Sequence, residues 1–189
     1  MNSKALKPRN DTAMMHLFGL GTQYYIAGRF LVLAQTIPVA GNLLHHAIEM
    51  CLKGALTRSH TLEKLTSYRH NLKRLWRRFK DQFRDPSLRA FDDVVATLHR
   101  FERIRYPDTM IIEGASIQFA LNKGDLVRAS PQPKSSIPEY ELTLEEVDQL
   151  VFLIFRKANV NPSFYFRVMH EHAFQFLRLH NKHLPQTAI

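Results

Sequence analysis

A chain of 189 residues, 45% of them apolar, is long enough to enclose one hydrophobic core and needs no second domain. Its single cysteine, Cys51, excludes an internal disulfide and a cysteine-based zinc site, and the absence of an uninterrupted apolar run of about 18 residues argues against a membrane span. We therefore expect one helical domain over residues 1–189 in a cytoplasmic protein that does not contact membranes. The net charge of +9 favours an anionic partner but does not name it.

Two long helices are predicted at the start of the chain. The first begins after Asp11, a good N-cap residue, and runs to about Gln35, and the second ends near Leu56. The stretch 41–56 is apolar around most of the helix circumference, except for one arc about 100° wide. That polar arc contains His45, His46, Glu49 and Lys53. We therefore expect this helix in the middle of a bundle, with partners for its polar side chains.

The third predicted helix, 68–83, has an aromatic side and a basic side. The apolar arc consists of Tyr68, Leu72, Leu75, Trp76, Phe79 and Phe83. The other side carries Arg69, Lys73, Arg74, Arg77, Arg78 and Lys80. Because the aromatic residues face the core, the helix does not present a base-stacking platform. Two interpretations of the basic side stay open, a solvated surface and a surface that contacts phosphate groups.

A fourth helix is predicted to begin at Asp85-Pro86, and Pro107 stops it. On a continuous helix Arg105 projects into the same arc as the apolar residues, toward the interior of the bundle. A buried guanidinium must be paired, and the two available carboxylates are Glu49 and Asp108.

Residues 109–142 do not follow a helical pattern, and we interpret them as a small β-hairpin-like insertion with a Pro/Ser-rich loop from Ala129 to Pro138. A capping box at Thr143 opens a fifth helix that runs through Phe155, and a sixth helix extends from Asn161 to about His180. The expected fold is thus an all-α, up-and-down bundle of about six helices, in which the C-terminal segment 161–189 contributes an interface.

Four features in this order resemble the HEPN domain, a helical-bundle domain of higher eukaryotes and prokaryotes that is linked to nucleotide binding. They are Tyr24-Tyr25 with Ala27, the stretch Leu44 to Leu56, His70-Asn71-Leu72 with Leu75, and Arg105-Tyr106-Pro107-Asp108. The resemblance covers about residues 21–158, with 109–142 as an insertion.

The resemblance implies a compact bundle that forms a homodimer. Many members are metal-independent RNA-cleaving toxins or defence proteins, whereas others are non-catalytic binding modules or antitoxin-associated partners. The RNA-cleaving members use an Arg followed four to six residues later by His. Arg105 stands at the position of that Arg, but no His lies between Thr109 and Ile112. This departure favours Arg105 as an anion contact or as part of a structural ion pair.

The candidate site residues follow from the polar arc, the basic helix and this motif. The expected ligand-binding residues are Arg105, Asp108, Glu49, Lys53, Lys73, Arg74, Arg77 and Arg78, and the catalytic candidates are Arg105, His45, His46 and His70. His70 is also expected to cap or orient the start of the third helix. His45 and Glu49, four residues apart, suit one edge of a metal site, but no third ligand is identifiable. We therefore assign these side chains a structural role and expect no metal and no cofactor.

Three hypotheses remain open at this stage. The first is a non-catalytic HEPN-like module that binds RNA or a nucleotide, in a toxin–antitoxin or defence system. The second is a metal-independent endoribonuclease in which a histidine of the polar arc or His70 acts as the base. The third is a structural or regulatory dimer with a cognate protein partner.

Overall fold

The computed structural model describes residues 10–37, 39–125 and 137–184. Within these ranges the chain forms nine α-helices and two strands: α1 (Asn10–Leu33), α2 (Val39–Leu56), α3 (Leu62–Ser67), α4 (Leu72–Phe83), α5 (Asp92–Arg100), α6 (Pro107–Glu113), β1 (Ser116–Ala120), β2 (Glu139–Thr143), α7 (Leu144–Lys157), α8 (Ser163–Phe166) and α9 (Glu171–Arg178). The expected class, a helical bundle with a small insertion, is confirmed. None of the helices in these ranges is long and apolar enough to cross a bilayer.

Helix α2 lies at the centre of the bundle, as its apolar circumference predicts. It packs along α1 and also contacts α4, α5 and α7. Leu44, Ile48 and Leu52 are completely buried. A Cβ atom at Gly28 of α1 would lie 2.9 Å from the side chain of Leu44, so the absence of a side chain there allows the two helices to pack closely.

The predicted third and fourth helices are interrupted more often in the structure than the sequence periodicity predicts. The connection before the basic helix contains α3, and α4 begins at Leu72 rather than at Tyr68. The predicted fourth helix is divided into a 3₁₀ segment Pro86–Phe91, helix α5 and a second 3₁₀ segment Phe101–Ile104. Phe101 packs its ring against Phe119 and Tyr140, at centroid distances of 5.7 and 5.1 Å. The fourth helix thus does not persist as an α-helix to Arg105, which was the condition for placing that side chain in the interior.

The small insertion is present, but it is not a hairpin. Residues 107–113 form α6 instead of a strand, and β1 pairs with β2 in parallel, with Ser116 opposite Glu139 and Ala120 opposite Thr143. Parallel neighbours need a long crossover connection, which here runs from Leu121 to Pro138. Residues 126–136 of this connection, and with them most of the predicted Pro/Ser-rich loop, lie outside the described residues.

The C-terminal part begins as predicted and then departs from the prediction. The Thr143 hydroxyl accepts a hydrogen bond from the Glu146 amide at 3.3 Å, which is the N-cap half of the predicted capping box at the start of α7. The same hydroxyl donates to the Glu146 carboxylate at 2.7 Å, where a capping box would use the Thr143 amide instead. The predicted sixth helix is divided into α8 and α9.

An apolar groove of about 600 Å³ lies between α1 and α9. The interface expected of segment 161–189 stays a prediction, and its last five residues are outside the described ranges.

A buried ion pair that the sequence analysis did not predict joins α1 to α7 and to the segment after α9. Arg29, 1% exposed, contacts the Asp148 carboxylate at 2.5 Å and donates hydrogen bonds to the carbonyls of Leu177 and Leu179. The Tyr25 hydroxyl donates to the second oxygen of Asp148 at 2.6 Å. Burial raises the pKa of Asp148, and the Arg29 guanidinium acts in the opposite direction.

Replacing Asp148 by Ala should destabilise the fold strongly, because it leaves the Arg29 guanidinium buried without an anion. We expect a loss of about 3–5 kcal/mol in the free energy of unfolding, measured by urea denaturation. The matched control is Glu113→Ala, which removes the partner of the exposed Arg103 and should cost less than about 1 kcal/mol. Equal losses in the two variants would contradict the assigned role of the buried pair.

Gly41→Ala should destabilise the protein, although alanine normally stabilises a helix relative to glycine. A Cβ atom at this position of α2 would overlap the ring of Phe101, so the core has to shift. We expect a loss of about 1–3 kcal/mol in thermal or urea unfolding. Gly124→Ala serves as the control because no atom lies within 4 Å of the added Cβ; a stabilised Gly41→Ala variant would refute this packing.

Candidate functional site

The polar arc of α2 converges on one buried carboxylate. Glu49 is completely buried, and its Oε1 accepts a hydrogen bond from Lys53 Nζ at 2.5 Å. Its Oε2 lies 3.0 Å from His70 Nδ1, 3.3 Å from His46 Nδ1 and 3.6 Å from His45 Nε2. We call His45, His46, Glu49 and His70 the histidine cluster.

The first three residues of the histidine cluster meet because of helical spacing, whereas the fourth arrives from another element. His70 lies in the turn between α3 and α4, directly after Arg69, whose φ of 49° is in the left-handed region. The N-cap of α4 is Asn71, whose Oδ1 accepts from the Arg74 amide at 3.0 Å. His70 therefore does not cap the helix as expected but is directed back toward α2.

The electrostatics of Glu49 depend on these neighbours. Burial alone raises the pKa of a carboxyl group, but the polar interactions with His45, His46, Lys53 and His70 together lower the pKa of Glu49 well below its usual range. The group is therefore an anion in the folded protein, although it lies in the middle of the bundle.

His45 has one satisfied and one unsatisfied ring nitrogen. Its Nδ1 lies 2.9 Å from the carbonyl oxygen of Leu98, to which it must donate its proton. Its Nε2 is buried and has no hydrogen-bond partner among the described residues, and the same holds for Oε2 of Glu102, which is 3.8 Å away. Two buried polar atoms thus face each other beyond hydrogen-bond distance.

Arg105 is not directed into the bundle, because the helix that would have placed it there is interrupted. The 3₁₀ segment ends before it, its side chain is 40% exposed, and its nearest anion is Glu102 at 3.5 Å. Neither of the predicted partners, Glu49 and Asp108, forms an ion pair with it among the described residues. Glu102, which the sequence analysis missed, lies between Arg105 and His45; its position three residues before Arg105 was the available signal.

The basic side of α4 forms a concave surface next to the histidine cluster. Asn71, Lys73, Arg74 and Arg77 line a cavity of about 300 Å³ together with His99 of α5. We call these five residues the basic pocket. The ring of His99 is stacked on that of His45 at a centroid distance of 6.3 Å, which connects the basic pocket to the histidine cluster. Burial lowers the pKa of His99, and the nearby His45 and Lys73 lower it further.

No described carboxylate forms an ion pair with the cations of the basic pocket. Arg74 lies over the ring of Tyr68 at 4.7 Å, and within the described part of the chain neither Lys73 nor Arg77 forms an ion pair. Arg78, expected to act with them, is not in this cavity and pairs with Asp81 at 3.8 Å.

Comparison of the chain with family models, curated proteins and solved structures finds no match. The resemblance to the HEPN domain therefore stays a prediction.

The stability that Glu49 contributes should depend on pH. Because its pKa is lower in the folded chain than in the unfolded one, the contribution is fully present above the unfolded value of about 4.3 and is lost as the pH falls below it. We expect the free energy of unfolding of the native chain to fall more steeply between about pH 5 and about pH 3 than that of Glu49→Gln, with chelator in all buffers. The control Glu113→Gln, at an exposed carboxylate, should keep the native slope, and a native slope in Glu49→Gln would contradict this assignment.

Proposed function

We propose that this protein is a HEPN-like, non-catalytic protein that binds RNA or a nucleotide through phosphate groups held in the basic pocket. The observation that carries the proposal is the convergence of three cationic side chains, Lys73, Arg74 and Arg77, on one concave surface whose described lining contains no carboxylate. Cations without an anionic partner in a concave surface focus positive potential and attract phosphates.

The arrangement favours contact with the phosphate backbone over recognition of bases. Trp76 and Phe79 of α4 are buried, so these aromatic rings are not available for base stacking. Guanidinium groups bind phosphate oxygens with two parallel hydrogen bonds, and Asn71 adds an amide beside them. We therefore expect binding that depends little on sequence and strongly on salt.

The double variant Lys73→Ala with Arg77→Ala should bind labelled single-stranded RNA about tenfold more weakly or worse. The slope of log affinity against log salt concentration should fall by the amount expected for about two lost phosphate contacts. The measurement is a titration followed by fluorescence anisotropy at two salt concentrations, with chelator present. The matched control is Arg167→Ala with Arg178→Ala, which removes two exposed charges from the C-terminal helices.

Equal losses in the two double variants would show that only the overall charge matters and would overturn the proposed pocket. An unlabelled nucleoside triphosphate that displaces the RNA at low concentration would identify a nucleotide as the preferred ligand. Absence of binding at low salt would refute the proposal.

One observation favours the alternative of a metal-independent endoribonuclease. Glu102 connects the exposed cation Arg105 to the imidazole of His45, so a phosphate-stabilising cation and a potential base belong to one chain of contacts. Denaturing gels of the same samples test it. Cleavage that survives chelator and disappears in Arg105→Ala would replace the binding module with an enzyme.

The homodimer, a cognate protein partner and a place in a toxin–antitoxin or defence system belong to the same proposal and are supported only by the resemblance. The third hypothesis, a structural or regulatory partner, predicts no RNA binding and is distinguished by the same titration.

A further inference from the structure

We propose that His45, His46, Glu49 and His70 form a binding site for a divalent transition-metal ion of the zinc class. The inference goes beyond the proposed function and does not depend on it, because the ligands belong to the histidine cluster and not to the basic pocket.

The distances from the imidazole nitrogens to the Glu49 carboxylate are close to those of a coordination shell. In a tetrahedral zinc site with bonds of about 2.0–2.1 Å, neighbouring ligand atoms are about 3.3 Å apart. The three imidazole nitrogens lie 3.0, 3.3 and 3.6 Å from the same oxygen, Oε2 of Glu49. All four ligand atoms lie within 4.8 Å of one another. To close the shell around one ion, the ligand atoms that lie farthest apart must approach one another by rotation of their side chains.

His45 is prepared as a ligand by the hydrogen bond on its other side. Because Nδ1 donates to the Leu98 carbonyl, Nε2 is the nitrogen whose lone pair an ion can bind once the ring carries a single proton, and Nε2 lies 3.6 Å from Oε2 of Glu49. Histidines that bind metals commonly donate their second N–H to a carbonyl or a carboxylate in this way. Nε2 is completely buried and has no hydrogen-bond partner among the described residues, so an ion would satisfy an atom that the protein leaves unsatisfied.

The carboxylate is held for a single bond to the ion. Lys53 occupies Oε1 of Glu49, which leaves Oε2 as the ligand atom. The charge of Lys53 opposes the binding of a cation, but the Glu102 carboxylate near His45 supplies a second negative charge. Its buried Oε2 has no hydrogen-bond partner in the described ranges.

The simpler arrangement, in which protonated imidazoles surround the carboxylate, gives His46 and His70 contacts of 3.3 and 3.0 Å, but it leaves His45 Nε2 at 3.6 Å, beyond hydrogen-bond distance. Three imidazoles and one carboxylate suit zinc and similar transition metals, whereas magnesium and calcium prefer shells of oxygen. The ion would join α2 to the turn before α4. His70, 46% exposed, gives the ion access from solvent.

The test uses the full chain without a polyhistidine tag, stripped with a chelator and titrated with Zn²⁺ in competition with a chromogenic chelator. We expect one ion per chain, and Co²⁺ should give the intense visible absorption of a four-coordinate site. His46→Ala and His70→Ala should each lower the affinity for Zn²⁺ at least about 100-fold, because even the loss of an outer-shell partner costs 10–100-fold. His60→Ala, at a histidine outside the cluster, should bind as the native chain does.

Both ligand variants alter side chains with access to solvent, and circular dichroism confirms that they fold; His70→Gln replaces His70→Ala if the latter does not. Native-like affinity in His46→Ala and in the His70 variant would overturn the site, as would the absence of stoichiometric Zn²⁺ binding to the native chain. RNA is not part of this measurement, so its outcome is independent of the proposed function.

Discussion

The buried carboxylate of Glu49 constrains the centre of this fold. Helix α2 is in contact with other helices on nearly every side, and the charge of Glu49 lies in the middle of it. The free-energy cost of burying an unpaired charge exceeds the net folding stability of a domain, so the surrounding elements must supply partners. Lys53 and two histidines come from the same helix, and His70 comes from the turn before α4. The position of α4, and with it the basic pocket, is thus coupled to this one group.

The histidine cluster and the basic pocket are two parts of one polar region. His99 lies in the pocket and is stacked on His45 in the cluster. The cluster is buried and anionic at its centre, whereas the pocket is open and cationic. An ion bound in the cluster would fix the turn that leads into α4. The proposed metal site and the proposed phosphate site are therefore neighbours, although each has its own ligand-binding residues and is tested by its own measurement.

The buried ion pair between Arg29 and Asp148 attaches the C-terminal part of the chain to the bundle. The C-terminal helices α8 and α9 are short, and helices of this length are marginal by themselves. Arg29 binds two carbonyls at the end of α9 while its charge is balanced by Asp148. This arrangement connects the last part of the chain to the central helices and closes one side of the apolar groove beside α1, which Arg29 lines.

The sequence by itself determined the helical class, the central place of α2, the amphipathic basic helix and the N-cap at Thr143, because these depend on periodicity and local hydrogen bonding. It also identified His45, Glu49 and His70 separately. Only the tertiary structure decided that His70 meets Glu49, that Glu102 lies between Arg105 and His45, and that Asp148 pairs with Arg29. Each of these contacts depends on how distant segments pack or on where a helix is interrupted. A pattern of periodicity does not encode such distances. For this reason the sequence led us to expect a hairpin where β1 and β2 pair in parallel, and it did not show that the helix before Arg105 is interrupted.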